Sequence, residues 1–350
     1  MAIFAALMAA AMLFAVWRMY RGRYGVIEKK KPDPDFDPAE GQPEAREAAT
    51  LLQQHQWREL TRLYGRLSPS DRYHLIESAA ALIPSAPLET PEDADSILLT
   101  ILGGVRLFQG MTPVGSGPTV SVLKANAARM MESLREAARL LKEAAARNMH
   151  DSTNLALQIC LESVATGDQA HINSLVGRVQ ASDEDNIYAA ANHLLANSPM
   201  RRGTPDAMWR VANEWANSGP NAAWLAIPAK AHIEEWRYAM TCCPPGSPER
   251  SAMIDRMQDD EFIRHIAKLD DMFWAAFART PLSGAEASFA HNHFAFLLHL
   301  FKVENRAKEH LDRIGPYIAR HPWSLLPTGA SRPTQLLADL RRTYGLQPLS

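Results

Sequence analysis

The chain has 350 residues, of which 47% are hydrophobic and 22% charged, and its formal net charge is −2. Such a chain can bury a large core in one large or two modest domains, and its nearly neutral charge argues against nucleic-acid binding. Its three cysteines, Cys160, Cys242 and Cys243, argue against a disulfide framework and fit a reducing compartment.

Residues 1–25 are predicted to anchor the protein in a membrane. Positions 2–17 are an unbroken run of small and apolar residues, near the lower limit of about 17 residues for crossing a bilayer. Basic residues follow this run, beginning at Arg18, Arg21 and Arg23, and an excess of Lys and Arg marks the cytoplasmic side. We therefore expect a single-pass protein of the bacterial inner membrane with a cytoplasmic body.

Two other interpretations of this segment stay open. As a secretory signal it would be cleaved, leaving a periplasmic or secreted helical binding protein. That interpretation requires basic residues before the apolar run and a small-residue cleavage site after it, and the sequence has neither. As a buried helix, the segment would instead belong to the core.

Residues 26–44 are predicted to be a stiff, solvated linker, because four prolines between positions 32 and 43 alternate with acidic residues. From residue 45 to residue 325 the apolar pattern is helical, and no strand-like alternation competes with it. Helices are predicted at residues 45–54, 56–67, 70–83, 93–110, 119–147, 151–166, 168–181, 184–198, 204–217, 222–240, 258–278, 284–301 and 304–319. A loop and a capping helix at 334–344 are expected within the C-terminal segment 326–350.

A repeat becomes visible in the middle of the chain. Turn-like clusters at residues 148–152, 181–185 and 218–221 are spaced by about 34 to 36 residues, and two helices fit between each pair. That period is typical of tetratricopeptide-like arrays, in which each unit leaves an apolar face that the next unit must cover. We therefore predict an all-α fold over residues 45–325, an antiparallel helical-repeat solenoid of tetratricopeptide-like type.

Three stretches of the chain carry recognisable patterns. They are Arg201-Arg202-Gly203-Thr204 with Ala207-Met208-Trp209, then Ala231-His232-x-Glu234-Glu235-Trp236, and finally Asn292–Phe301 with Leu311-x-x-Ile314-Gly315 and Pro322-Trp323. Together they resemble an uncharacterised bacterial family, a domain of unknown function with helical repeats of tetratricopeptide type, over residues 46–325. The match is partial where the family has Gly-Gly and this chain has Arg202-Gly203. The resemblance implies an all-helical fold and brings no activity with it.

A solenoid of this type curves, and its concave surface is where a protein or peptide binds. The first helix of each pair would line that groove, which makes its polar and aromatic residues the candidate contacts: Asn154, Gln158, Tyr188, Asn192, Trp209 and Asn213. The four tryptophans of residues 204–240 are expected mainly to pack one repeat onto the next. The function predicted from these patterns is a membrane-tethered scaffold for an unidentified protein or peptide, with no catalytic residues and no cofactor.

A second set of polar residues lies among these tryptophans. His232 and Glu235 stand at positions i and i+3, a spacing that suits metal ligands, a buried hydrogen-bond network or a ligand-contacting face, and both count among the candidate binding residues. With His265 they define the alternative hypothesis, a hydrolase or metalloprotein built on a helical bundle. The sequence lacks the paired Glu-x-x-His motifs of di-metal bundles and the H-E-x-x-H and G-x-S-x-G motifs, so no metal is predicted. Glu234 belongs to the same polar set, on a segment where packing needs no charge.

Three further histidines, His291, His293 and His299, share one predicted helix. Successive helical positions point in different directions, so His291 and His293 cannot hold one ion together. They are expected at surfaces and interfaces.

Overall fold

The computed structural model describes residues 37–84, 86, 88–112, 120–182, 184–314, 319–325 and 333–347. These residues contain sixteen α-helices, one short 3₁₀-helix and no strand, which confirms the predicted all-α class. The predicted anchor at 1–25 and most of the linker at 26–44 lie outside the described residues. Within the described part, no helix combines the length and the apolar character that crossing a bilayer requires.

The helices lie close to where the sequence predicts them. The first eight are α1 (Pro43–Gln53), α2 (Trp57–Gly65), α3 (Pro69–Leu82), α4 (Ser96–Met111), α5 (Val120–Arg147), α6 (Ser152–Ala165), α7 (Gln169–Gln180) and α8 (Ile187–Ala196). They are followed by α9 (Pro205–Ser218), the 3₁₀-helix (Ala222–Leu225), α10 (Ala226–Thr241), α11 (Pro248–Arg256), α12 (Asp260–Phe277), α13 (Gly284–Leu300), α14 (Glu304–Ile314), α15 (Arg320–Trp323) and α16 (Pro333–Thr343). The sequence patterns predict all of these except α11 and α15.

Five helices form a closed inner ring. Helix α3 contacts α6, α6 contacts α8, α8 contacts α10, α10 contacts α13, and α13 returns to contact α3. The first and last members of the ring meet at Asp71 and Ala285, which are 214 residues apart in the sequence. The ring therefore has no free end between α3 and α13.

Hydrogen bonds join the N-terminal ends of α3, α6 and α8. The Pro69 carbonyl accepts hydrogen bonds from the Thr153 hydroxyl at 3.2 Å and from the Asn186 side-chain amide at 3.3 Å. The Ser70 hydroxyl accepts a hydrogen bond from the Ile187 N–H at 3.2 Å. Because all of these residues lie at helix starts, the three helices begin at the same end of the ring.

The last two ring helices begin at this end as well. The Asp71 carboxylate accepts a hydrogen bond from the Ala285 N–H at 2.7 Å. Glu286 accepts hydrogen bonds from the Ser70 hydroxyl at 3.2 Å and from the Asn221 amide, just before the 3₁₀-helix and α10, at 3.0 Å. The five inner helices are thus parallel, and their C-terminal halves lie together at the opposite end.

Inner and outer helices bury different surfaces. Eight of the ten residues of α8 are buried, because this helix is enclosed on nearly all sides. The outer helix α9 buries only Met208, Val211, Ala212 and Trp215, a single stripe at helical spacing. A stripe of this kind covers the ring, and the rest of the helix faces solvent.

The tryptophan-rich stretch packs the ring against its outer helices. Trp215 and Trp224 stack with ring centroids 5.1 Å apart, and the Trp215 indole donates a hydrogen bond to His193 Nδ1 at 3.1 Å. A Cβ at Gly219 would lie only 2.1 Å from Trp224 Cγ, so the turn before the 3₁₀-helix requires glycine. Trp215, Trp224 and Trp236 are buried, and these side chains form core.

Candidate functional site

A stripe of charged side chains on α10 faces the interior of the ring. Lys230, Glu234 and Arg237 follow one another at helical spacing, and Glu234 is completely buried. Its carboxylate lies 3.5 Å from the Lys230 ammonium, 3.2 Å from the Arg237 guanidinium and 3.3 Å from His321 Nε2. Three nitrogen-bearing side chains thus surround a single carboxylate at the centre of the stripe.

The buried charged groups in this stripe shift one another's pKa values. Burial raises the pKa of Glu234, but the charges of Lys230 and Arg237 and the adjacent His321 imidazole outweigh burial and hold that pKa well below its ordinary value. Burial lowers the pKa of Lys230, and the charge of Glu234 opposes that shift. Glu234 is therefore ionised across the physiological pH range, and it stabilises the positive charges around it.

Two carboxyls outside α10, Glu77 on α3 and Glu40 just before α1, behave differently. Solvent reaches the Glu77 side chain on α3, and yet protein surrounds it so closely that burial raises its pKa to about 7, against the charge of Lys230. Burial and the nearby charge of Glu77 raise the pKa of Glu40 to about 8. A side chain that is both solvent-accessible and enclosed lies in a concave surface. We call this concavity the polar pit, with Glu77, Arg201, Lys230, Glu234, Arg237, His293 and His321 as its members.

Arg201 enters the pit from the turn that follows α8. Its backbone N–H donates a hydrogen bond to the Ser198 carbonyl at 2.9 Å, and a Cβ at Gly203 would lie 1.8 Å from the Asn197 carbonyl oxygen. This tight turn fixes the base of the Arg201 side chain. Burial lowers the pKa of Arg201, and Cys160, Arg237 and Glu234 lie near enough to influence it.

The Arg201 guanidinium makes no hydrogen bond and no ion pair with any described residue. Another pit member also keeps a free polar atom: His293 is buried, its Nδ1 lies 2.7 Å from the Phe289 carbonyl, and its Nε2 has no partner among the described residues. Arg201 is half-buried, so a ligand can reach it, whereas the Nε2 of His293 is buried and costly to leave without a partner; together they point to a ligand in the concavity.

The chemistry available in the pit favours binding over covalent catalysis. Burial raises the pKa of the Cys160 thiol to about 11, so this residue carries no nucleophilic thiolate near neutral pH. Burial lowers the pKa of His321 to about 4 and holds that of His293 well below its ordinary value, so both imidazoles are neutral. The pit therefore presents fixed cations, one shielded carboxylate and neutral hydrogen-bonding groups.

The predicted groove residues occupy several different places. Tyr188 is half-buried beside the pit, where its ring stacks on Tyr73 at 4.5 Å, and burial and the charge of Glu77 raise its pKa well above the ordinary value. Asn192 is buried, and its amide donates to the Tyr73 hydroxyl at 2.9 Å and to the Ala156 carbonyl at 3.1 Å. Asn192 therefore links inner helices, while Tyr188 packs on α3 beside the pit.

Two other predicted groove residues form an interior hydrogen-bond network. The Asn154 amide donates to the Thr100 hydroxyl at 3.0 Å and to the Leu141 carbonyl at 3.3 Å, and Gln158 donates to Asn154. This network joins α4, α5 and α6. Asn154 is buried, so it contributes to packing.

Trp209 and Asn213 lie on the outer helix α9. Asn213 is exposed, while Trp209 is half-buried and contacts the His232 ring with centroids 4.4 Å apart. The structure therefore does not bring these two residues together with Tyr188 into one groove.

His232 and Glu235 have separate surroundings. The His232 ring lies among Trp209, Phe262 and His265, and neither of its ring nitrogens has a hydrogen-bond partner among the described residues. Glu235 accepts a hydrogen bond from Arg256 at 2.8 Å. No group of three or more His, Cys, Asp or Glu side chains within the described ranges is placed to hold a metal ion.

The expectation that His291 and His293 lie at the surface is wrong. Each is 3% exposed, because α13 belongs to the enclosed inner ring. His291 Nδ1 lies 2.8 Å from His310 Nδ1, and His310 Nε2 lies 2.8 Å from the Asp270 carboxylate, which also accepts from Arg306 at 2.9 Å. This chain of hydrogen bonds ties α12, α13 and α14 together.

A depression of 470 Å³ lies away from the pit, lined by residues that include Tyr64, Arg72, Asp151 and Glu184. Its charged groups already have partners, since Asp151 caps α6 and Arg72 lies 3.5 Å from Glu184, and of the four residues named here only Tyr64 keeps a buried hydroxyl without a hydrogen-bond partner among the described residues. A second depression, of 230 Å³, is lined by Trp215, Trp224 and the turn between them. We place the candidate site in the polar pit, where cationic and imidazole groups remain without partners.

No protein-family model, curated protein or solved structure matches this chain. The candidate site therefore rests on geometry. Glu234 is part of the polar set that the sequence indicates, but Arg201 and Lys230 are not predicted as site residues. A lysine on a helix and an isolated pair of arginines are ordinary at protein surfaces. Only the packing of the ring brings Lys230 and Arg201 into the pit.

Proposed function

We propose that this protein is a membrane-tethered helical-repeat scaffold that binds a protein or peptide ligand in the polar pit. Residues 1–25 would form the tether, and the proline-rich linker would hold the body away from the cytoplasmic face of the bacterial inner membrane. The paired helices of residues 151–217 and their period of about 34 support a tetratricopeptide-like array. In this proposal the inner helices of that array present the binding surface.

One observation carries the proposal: charged side chains occupy the interior of the ring. Lys230 and Glu234 are buried where apolar side chains would pack. Replacing a buried ion pair by apolar residues is often neutral or stabilising, so the stability of the fold does not require these charges. Ionisable groups whose pKa values are strongly shifted and that lie in a concavity are typical of functional sites.

Site-specific photo-crosslinking in cells tests the proposal. A benzophenone amino acid replaces the accessible Glu77 in the pit, and the same substitution at exposed Asn213 on α9 serves as the matched control. We expect a discrete crosslinked product from position 77 and none from position 213. No product from position 77, or equal products from both positions, would contradict binding in the pit.

A further inference from the structure

We infer that the polar pit binds an anionic group of its ligand, a carboxylate or a phosphate, through the guanidinium of Arg201. This inference rests on the proposed function, because it concerns the same pit. It adds the chemical class of the group that is recognised and the residue that recognises it.

The pit carries more positive than negative charge. Its three cations are Arg201, Lys230 and Arg237, and its permanently ionised carboxylate is Glu234. Glu77, with its pKa of about 7, is about half ionised at neutral pH. The imidazoles of His293 and His321 are neutral. An excess of positive charge remains, which attracts an anion and repels a cation.

The cations of the pit are not equally compensated by negative charge. Lys230 and Arg237 both face Glu234, so their charge is already compensated within α10. Arg201 is half-buried and has no such partner among the described residues. The uncompensated charge is therefore located at Arg201.

A guanidinium such as that of Arg201 is suited to bind an oxyanion. Its five N–H donors form a planar fork that matches two oxygens of a carboxylate or phosphate, and it has no acceptor of its own. An oxyanion at this position would supply the acceptors that the described residues do not. The neutral imidazole of His293 and the carboxyl of Glu77, when protonated, can donate further hydrogen bonds to such an anion.

Thermal unfolding of the full-length chain in detergent, followed by tryptophan fluorescence, tests this inference. Sodium acetate and sodium phosphate are compared with sodium chloride at equal ionic strength. At about ten times its Kd, a bound anion should raise the Tm by about 2 °C above the chloride value. A larger response to acetate identifies a carboxylate as the group that is bound, and a larger response to phosphate identifies a phosphate.

Three variants locate the effect. Arg201→Gln should abolish the response, and Arg201→Lys should weaken it about tenfold in apparent Kd, because lysine keeps the charge without the fork. Arg210→Gln, which removes an exposed arginine on α9, should respond as the wild type does. In chloride, Arg201→Gln should melt no lower than the wild type, because the half-buried Arg201 side chain has no hydrogen bond or ion pair with a described residue that the substitution would remove.

A wild-type response no larger than that in chloride would overturn the inference. So would an Arg201→Gln variant that melts lower in chloride and keeps the anion response, since that result would make Arg201 structural. If position 77 still gives its crosslinked product in cells, binding in the pit stands and only the anionic class fails. If that product is absent as well, both proposals fail.

Discussion

The buried pair of Lys230 and Glu234 leads to a quantitative prediction. Glu234 has no exposed side-chain surface and Lys230 has 5%. Removing one partner of such a pair leaves an uncompensated charge in the interior, which typically costs about 3 to 5 kcal/mol. We expect Glu234→Met to lower the free energy of unfolding by about 3 kcal/mol. Lys230→Met should cost less, about 2 kcal/mol, because Arg237 and His321 still face the carboxylate.

The double substitution decides whether these losses come from one interaction. Lys230→Met with Glu234→Met removes both charges, so the total loss should stay within about 2 kcal/mol. The coupling energy from the double-mutant cycle should therefore reach about 3 kcal/mol or more. Equilibrium unfolding in urea, followed by tryptophan fluorescence, measures each free energy.

A neighbouring ion pair provides the matched control for this cycle. Glu235 and Arg256 lie 2.8 Å apart, with side chains that are 18% and 36% exposed. A cycle of Glu235→Gln and Arg256→Met should give a coupling of about 0.2 to 1 kcal/mol, as is usual for pairs that water reaches. Additive losses at positions 230 and 234, or a coupling no larger than that of the control, would refute the interior placement of the α10 stripe.

Three further predictions concern the other parts of the molecule. Burial raises the folded-state pKa of Glu77 from 4.5 to about 7, so its stabilising contribution is complete below pH 4.5 and is lost as pH rises through 7. Glu77→Gln should therefore remove about 1 kcal/mol of the decline in unfolding free energy between pH 5 and 8, allowing for solvent screening, and an unchanged pH profile would contradict this. Deleting residues 1–31 should move the protein from the membrane fraction to the soluble fraction, and an unchanged distribution would argue against the anchor. Elemental analysis should find no transition metal that is stoichiometric in the wild type and lost in His232→Ala, whereas such a metal would favour the metalloprotein alternative.

The positions of the helices could be predicted from sequence because their signals are local. Ser68 before Pro69 predicts the start of α3, and the structure has the Ser68 hydroxyl accepting a hydrogen bond from the Asp71 N–H. Helix α11 carries the same signal in Ser247 and Pro248, but the preceding Pro-Pro-Gly run favours a loop. Local rules thus predict the ends of helices well, except where two such rules conflict.

The ring and the pit could not be predicted in the same way, because they depend on contacts between distant residues. Asp71 and Ala285 close the ring without any pattern that links them in the sequence. Helical periodicity gave the directions of His291 and His293 around α13, but not that α13 is enclosed. Arg201 is one half of an arginine pair in the sequence, and only the turn after α8 places it near Glu234.

The central claim is that the interior of the ring binds a ligand through Arg201. The most direct test measures the yield of the crosslinked product from position 77 in cells that carry Arg201→Gln or, as control, Arg210→Gln. We predict a yield about tenfold lower with Arg201→Gln, since a charged hydrogen bond contributes about 1.5 to 3 kcal/mol, and an unchanged yield with Arg210→Gln. Equal yields in both backgrounds would contradict the claim.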